Sequence, residues 1–293
     1  MSGDPLDFTG ERFTPECVRE IWYEHWHRYA FAAPLVAGRR VLDAACGEGY
    51  GSNLLAAHAR DVVGVDISAT AVGHARARYA SARSNLRFEE ADASALPFAD
   101  ASFDAVVSFE TLEHLAAHEQ LVAGFARVLA DDGLLLLSSP DKRTYSELAG
   151  FRNEFHVREL YREELENLLA GHFPHVRLYA HKLLFQSVMW PLDGGAGPVA
   201  AATASQAGAS IQQDLAYAPL YYLAVCSRQP LPTHLPAISL FGDREESVYA
   251  HYNGEIRRNM GAGARIAELE SALALALQSS ARRAPWWRRW FGP

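Results

Sequence analysis

Residues 40–51 read RVLDAACGEGYG, a short apolar run that ends in an acid and passes at once into a turn with glycine at 47, 49 and 51. Such a run, bounded by a glycine-rich turn and followed by helical pattern, is a buried parallel strand entering a helix. Glycines at alternate positions mark a backbone that passes close to a ligand or to another element, because glycine tolerates positive φ and brings no Cβ. This segment commits the chain to an α/β architecture, and the pattern then repeats. VVGVDIS, LRFEEADA, FDAVVSFE and GLLLLSSP are further strand candidates, separated by the helical stretches ATAVGHARARYASA and HEQLVAGFARVLAD. Strands alternating with helices give a Rossmann-like, doubly wound sheet. A helix over about 158–170 and the strands HVRLYAHK and YYLAVCSR complete a seven-stranded sheet whose last strand is antiparallel.

Around that sheet the sequence predicts an N-terminal helical cap over 1–38, started by Thr14-Pro15-Glu16, a main domain over 39–229, and a C-terminal extension over 230–293 that follows the proline-rich QPLPTHLP. The final two strands are separated by residues 183–219, too long for a hairpin and rich in small residues, which read equally as a substrate lid or a surface loop. Within the extension, Ile266, Leu269, Leu273 and Leu277 form one helical stripe that needs a partner, either this domain or a second copy in a homodimer. The terminal ARRAPWWRRWFGP joins four arginines to three tryptophans, a composition suited to weak peripheral contact with an anionic membrane surface. The formal charge of −8 argues against a nucleic-acid partner. Cys17, Cys46 and Cys226 lack paired spacing, the start carries no secretory pattern, and no apolar run is long enough to span a bilayer, so a cytoplasmic location is expected, with the tail allowing attachment to the cytoplasmic face.

The acids at the strand ends carry the chemistry. Asp43 ends the first strand, Asp66 ends the second 19 residues after Gly47, and Asp92 ends the third. A dinucleotide would need G-x-G-x-x-G and a helix start receiving a pyrophosphate, whereas this turn is G-x-G-x-G, and the chain has no Tyr-x-x-x-Lys pair. S-adenosylmethionine carries no phosphate but offers an ammonium, a sulfonium, two ribose hydroxyls and an adenine amine, all suited to acceptors. Asp43 is then expected near the methionine moiety, Asp66 on the ribose, and Asp92 with the Ala93 backbone on the adenine amine, with Ile67 and Phe109 as apolar faces for the ring. Any one of these acids could be an ordinary helix cap; three in register point to a ligand.

With these residues in place, the stretch from about Arg39 to Lys142 resembles the class I S-adenosylmethionine-dependent methyltransferases, type 11-like members in particular. VLDAACGEGYG is similar to their first motif, VVGVDIS to their second acidic strand, EADASALPFADASFDAVVSFETLEHL to their third and fourth strands, and RVLADDGLLLLSSP to the fifth. The resemblance implies that S-adenosyl-L-methionine is bound by Asp43, Gly47, Gly49, Asp66 and Asp92. Ala45 departs from the pattern, standing beside the methionine where many members have glycine. EHWHRYAFA and EFHVRELYREELENLL also resemble methyltransferases of polysaccharide and O-antigen biosynthesis, which implies O-methylation of a sugar or glycan; a small-molecule N- or O-methyltransferase of secondary metabolism and a non-catalytic binding module are the alternatives.

Methyl transfer is an in-line displacement that needs alignment and exclusion of water, and for a hydroxyl acceptor a base at the carboxyl edge of the sheet. His114 and Glu110 after the fourth strand, and His156 after the fifth, are the candidates. Trp22, Tyr23, Trp26, Tyr29 and Phe31 lie at helical spacing, suited to core packing and to roofing the site; His27, Arg28 and Tyr29 are candidates for the cofactor carboxylate. His114 and His118 stand four apart, but no third ligand is apparent, and the sequence supports no metal assignment.

Overall fold

A computed structural model describes residues 20–193, 199–205 and 210–282 of the chain, which divides after Phe241 into two compact units. In the first unit, helix α1 (Glu20–Leu35) precedes β1 (Arg40–Ala44), α2 (Tyr50–Leu55), β2 (Asp61–Asp66), α3 (Ala69–Tyr79), β3 (Leu86–Glu90) and β4 (Phe103–Ser108). Then follow α4 (His118–Val128), β5 (Leu129–Pro140), α5 (Arg162–Ala170), β6 (His175–His181), a ribbon of β7 (Thr203–Ala204) and β8 (Ile211–Gln212), and β9 (Tyr221–Ser227). The main sheet has the order β3-β2-β1-β4-β5-β9-β6, with β9 alone antiparallel, slotted between β5 and β6. This is the doubly wound seven-stranded sheet expected from the sequence.

The central strands β1, β2 and β4 are buried and largely apolar because both faces are covered. Val41, Val62 and Val107 face a core under α1, α2 and α3, while Leu42, Val63 and Val106, the alternate residues, face a second core with Phe125, Leu165 and Phe173. At β1 and β4 the chain order reverses across the sheet, which is where a doubly wound fold opens a crevice at its carboxyl edge.

Beyond the sheet, some segments fall differently from the expectation or outside the described residues. The helix start at Thr14-Pro15 lies outside the described residues. Past 229 the chain stays on the first unit up to Phe241: Leu235 is buried in the core, the Tyr179 hydroxyl donates to the Pro236 carbonyl at 2.9 Å, and Phe241 packs on Trp22, Tyr23 and His27. Within 183–219 the described residues form the small ribbon and otherwise irregular chain. In the second unit α6 (Ser247–Arg282) is 36 residues long, and Ile266, Leu269, Leu273 and Leu277 are each more than half exposed. The Arg/Trp tail beyond Arg282 lies outside the described residues. Among the described residues no helix is long and apolar enough to cross a membrane.

Candidate active site

The turn after β1 is shaped by backbone that side chains would obstruct. Gly47 and Gly49 have φ of 55° and 90°, and a Cβ on Gly49 would stand 2.8 Å from Ala75 Cβ and from the Phe88 ring. Ala45 also adopts a left-handed conformation, φ 60°, at a cost of roughly 1 kcal/mol for an L residue. Glu48, between the two glycines, turns away from the crevice and is buried against α3, where His74, Arg78 and Tyr79 hold its carboxylate. The Gly47–Gly49 turn therefore presents main chain alone to the crevice.

Asp66 faces that turn. Its Oδ2 accepts from the Gly47 amide and its Oδ1 from the Ser68 amide, both at 2.9 Å. Each carboxylate oxygen retains a lone pair, so two backbone bonds fix an acceptor that still has capacity for two hydroxyls. Ile67 beside it is 72% exposed, a large apolar surface left open at the place where a ring would lie. Asp92, exposed at the end of β3, caps the short turn Ala93–Ala95 by accepting from the Ser94 amide at 2.8 Å, and Ala93 is buried beneath it. These features suit S-adenosylmethionine: a donor-rich ligand meets carboxylates, a flat ring meets Ile67, and nothing projects from the turn.

Three of the expected cofactor residues, Asp43, Phe109 and Tyr29, are buried. Asp43 is completely buried, and its carboxylate accepts from Ser52 Oγ at 2.6 Å and from the Tyr29 hydroxyl at 3.2 Å. It thus ties α1 and α2 to the end of β1. Burial raises its carboxyl from 3.8 to about 7, against the opposing pull of those hydrogen bonds. Phe109 is buried and packs edge-on to Tyr29, with centroids 5.0 Å apart. Phe109 and Ile67 follow β4 and β2, strands separated by β1. Tyr29 is likewise buried, and its hydroxyl is spent on Asp43.

The edge after β4 holds the acceptor candidates. Glu110 has a φ of 51°, a strained conformation for a non-glycine residue and one that clusters at functional sites. Its amide donates to Ser138 Oγ at 3.0 Å, Ser138 Oγ donates to its Oε1 at 2.7 Å, and Arg28 Nη2 stands 3.4 Å from its Oε2. Arg28 is buried with its guanidinium carbon 4.5 Å from the Tyr221 ring centroid, and none of its three guanidinium nitrogens has a hydrogen-bond partner. Burial opposes its charge, but Glu110, Tyr221 and Glu24 together raise its pKa. Glu24, one helical turn before Arg28, is pushed up to about 7 by its own burial.

His114 and His156 come together although 41 residues separate the first from Phe155, whose carbonyl meets His114 Nδ1 at 3.1 Å. Their ring centroids are 5.1 Å apart, and His156 Nδ1 contacts Glu159 Oε1 at 2.6 Å. Tyr145 stacks on His156 and reaches Tyr221, so an aromatic wall runs from Arg28 to His114. His118, by contrast, begins α4 while His114 closes a separate short turn, so the pair does not share one helix. Sequence reasoning passed over Glu113, Tyr145, Ser138 and Tyr221. Glu113 was within reach, as the acid adjoining His114; the others depend on contacts distant in sequence.

A cavity of about 550 Å³ opens on the other side of Arg28, lined by Tyr23, His27, Phe31, Leu223 and Phe241, with Leu215 and Tyr217 from the insertion. Burial lowers His27 to about 4 and His181, also in the wall, to about 2, which keeps both rings neutral. The lining mixes these rings and aliphatic side chains with four charged groups, Glu24, Arg28, Arg177 and Lys182.

Comparison with known proteins identifies relatives of the chain. The family description "Methyltransferase domain" matches residues 42–137. A protein of Mycolicibacterium smegmatis described as a probable S-adenosylmethionine-dependent methyltransferase is 41% identical over 177 residues, 57% of this chain and 67% of its own length. A Mycobacterium tuberculosis protein of the same description is 42% identical over 167 residues, 56% of this chain; the match spans only 60% of that relative's length. The 27-O-demethylrifamycin SV methyltransferase of Amycolatopsis mediterranei is 41% identical over 114 residues, 38% of this chain and 42% of its own length. YcgJ of Bacillus subtilis, at 21% identity and a TM-score of 0.50, covers 70% of this chain and all of its own, and shares the fold. The chain belongs to the class I S-adenosylmethionine-dependent methyltransferases.

Proposed function

We propose that this chain transfers a methyl group from S-adenosylmethionine to a hydroxyl oxygen. The observation that carries the reading is the side-chain-free turn at Gly47–Gly49 facing Asp66, whose carboxylate two backbone amides fix while leaving it room for two more donors. When bound, S-adenosylmethionine supplies a methyl group activated by its sulfonium. Asp66 holds the ribose, Asp92 with the Ala93 backbone holds the adenine amine, Ile67 covers the ring, and the turn at Ala45–Gly49 backs the methionine. Glu110, His114 and His156 form the edge at which the acceptor hydroxyl is held and loses its proton.

The acceptor we propose is a ring-bearing small molecule or a sugar unit of a glycan. Tyr23, His27 and Phe241 offer the ring faces on which either would stack, and they favour an acceptor with one unhydrated face. The relative named for a demethylrifamycin substrate supports the small-molecule reading. Calorimetric titration with S-adenosylmethionine and with NADH, followed by mass spectrometry of adenosylhomocysteine formation against glycoside and polyketide-type hydroxyls, tests both levels. Micromolar binding of S-adenosylmethionine alone is expected; binding of NADH in its place would overturn the reading.

A further inference from the structure

The β4 edge contains a group that the hydrogen bonding leaves unexplained. Glu113 is buried, 1% exposed, and neither of its carboxylate oxygens has a hydrogen-bond partner. A buried carboxylate without partners is costly, and it persists where something else completes it. Two imidazoles face Glu113. His114 Nε2 lies 4.0 Å from Glu113 Oε1, and one ligand atom from each of Glu113, His114 and His156 falls within 4.8 Å of the others.

The outer contacts of both histidines orient them toward that point. His114 Nδ1 faces the Phe155 carbonyl, which accepts only, so Nδ1 carries the hydrogen and Nε2 the lone pair. His156 Nδ1 faces the Glu159 carboxylate, with the same consequence. An imidazole held through one nitrogen by a carbonyl or carboxylate, with the other turned inward, is the arrangement metal-ligating histidines adopt. Asn153 Nδ2, 3.0 Å from His156 Nε2, donates to that lone pair and is the contact an ion would replace. The loops are also pinned in register, since the Val157 and Arg158 amides donate to the Glu113 carbonyl at 2.8 and 3.1 Å.

We propose that Glu113, His114 and His156 bind one divalent first-row transition cation, and that this ion holds the acceptor oxygen at the β4 edge. The donor set is two imidazoles and one carboxylate, which suits manganese, cobalt or zinc better than magnesium or calcium and leaves coordination positions open for an acceptor. With bonds of about 2.1 Å, ligand atoms around such an ion stand roughly 3 to 3.5 Å apart, so the cluster closes by about an ångström through side-chain rotation. A hydroxyl on the ion is more acidic than a free one, and its proton passes to solvent while the oxygen stays ligated. The proposal rests on the methyl-transfer reading for its purpose, but the binding site is testable alone.

The full chain, stripped with chelator, is titrated with Co2+ while visible absorption reports ligation by nitrogen and oxygen, and elemental analysis counts the ions retained. One Co2+ per chain is expected, with affinity at least tenfold lower in His156→Ala and Glu113→Gln, and about tenfold lower in Glu159→Gln, which removes only the outer carboxylate. Affinity for S-adenosylmethionine without metal, unchanged in Glu159→Gln, shows the fold intact and separates this question from the cofactor reading. Absence of stoichiometric Co2+ uptake, or uptake undiminished in all three variants, overturns the proposal and makes Glu113 a neutral buried acid.

Discussion

Gly51, at the start of α2, lies against the ring that joins α1 to the cofactor turn. A Cβ at this position would stand 2.0 Å from Tyr29 Cζ and 2.3 Å from Cε1, where carbon contacts settle at about 3.5 to 4.0 Å. The ring cannot sidestep easily, since it packs edge-on to Tyr50 and Phe109 and its hydroxyl is bonded to Asp43. Overpacking of this kind costs about 1 to 3 kcal/mol. If the ring swings out instead, buried Asp43 loses a donor, a penalty of about 1 to 3 kcal/mol. Alanine's advantage over glycine in a helix returns about 0.5 to 1 kcal/mol. Gly51→Ala should therefore destabilise by about 0.5 to 2 kcal/mol in urea unfolding by either route, and weaken S-adenosylmethionine binding because the turn is displaced. Removing the ring should relieve the conflict: Gly51→Ala with Tyr29→Ala should cost about 1 to 3 kcal/mol less than the two singles added. Additive singles, or a Gly51→Ala chain within about 0.5 kcal/mol of the parent, would refute the assignment of Tyr29 as the strut.

Further expectations concern the acids and the strained edge. Asp66→Ala should weaken S-adenosylmethionine binding by tenfold or more in calorimetry, since hydrogen bonds to a charged acceptor are worth about 1.5 to 3 kcal/mol each; an unchanged affinity would remove Asp66 from the site. Asp43 is raised by burial from 3.8 to about 7, so the folded chain keeps a proton that the unfolded chain releases from about pH 4 upward. Its contribution is fully present below pH 4 and lost as pH rises toward 7, and Glu24, also near 7, adds with the same sign. Urea midpoints at pH 5 and pH 7.5 should fall with pH in the parent and fall less in Asp43→Asn. Glu110→Gly should relieve the left-handed strain yet lower turnover, because it removes the carboxylate held by Ser138 and Arg28; equal turnover would mean that Glu110 takes no part in the reaction.

Legibility followed burial. Strands such as VVGVD could be read directly because residues on both faces are covered, so apolar identity is forced at consecutive positions and polar residues mark the ends. Asp66 was legible for a related reason: it is the first acid after an uninterrupted apolar strand, at a fixed distance from the turn it serves. Asp43 satisfies the same rule, but its partners Tyr29 and Ser52 come from separate helices whose approach no local pattern encodes. That β1 stands between Phe109 and Ile67 follows from the sheet order, which no local pattern encodes.

The acceptor edge was harder to read because its residues acquire meaning only in pairs. His114 and His118 invited attention through helical spacing, yet the chain turns between them, and His114 finds its companion in a loop after β5. That loop is brought back by Leu160, which bridges in parallel to Asp141 at the end of β5, and by the amides that bond the Glu113 carbonyl. Two main-chain attachments thus determine which side chains face one another. A histidine placed by such pinned loops needs a specific orientation and not a specific neighbour in sequence. One contact that sets it, the Phe155 carbonyl, is main chain; the other, the Glu159 carboxylate, is therefore where a substitution should change chemistry with the least disturbance to the fold.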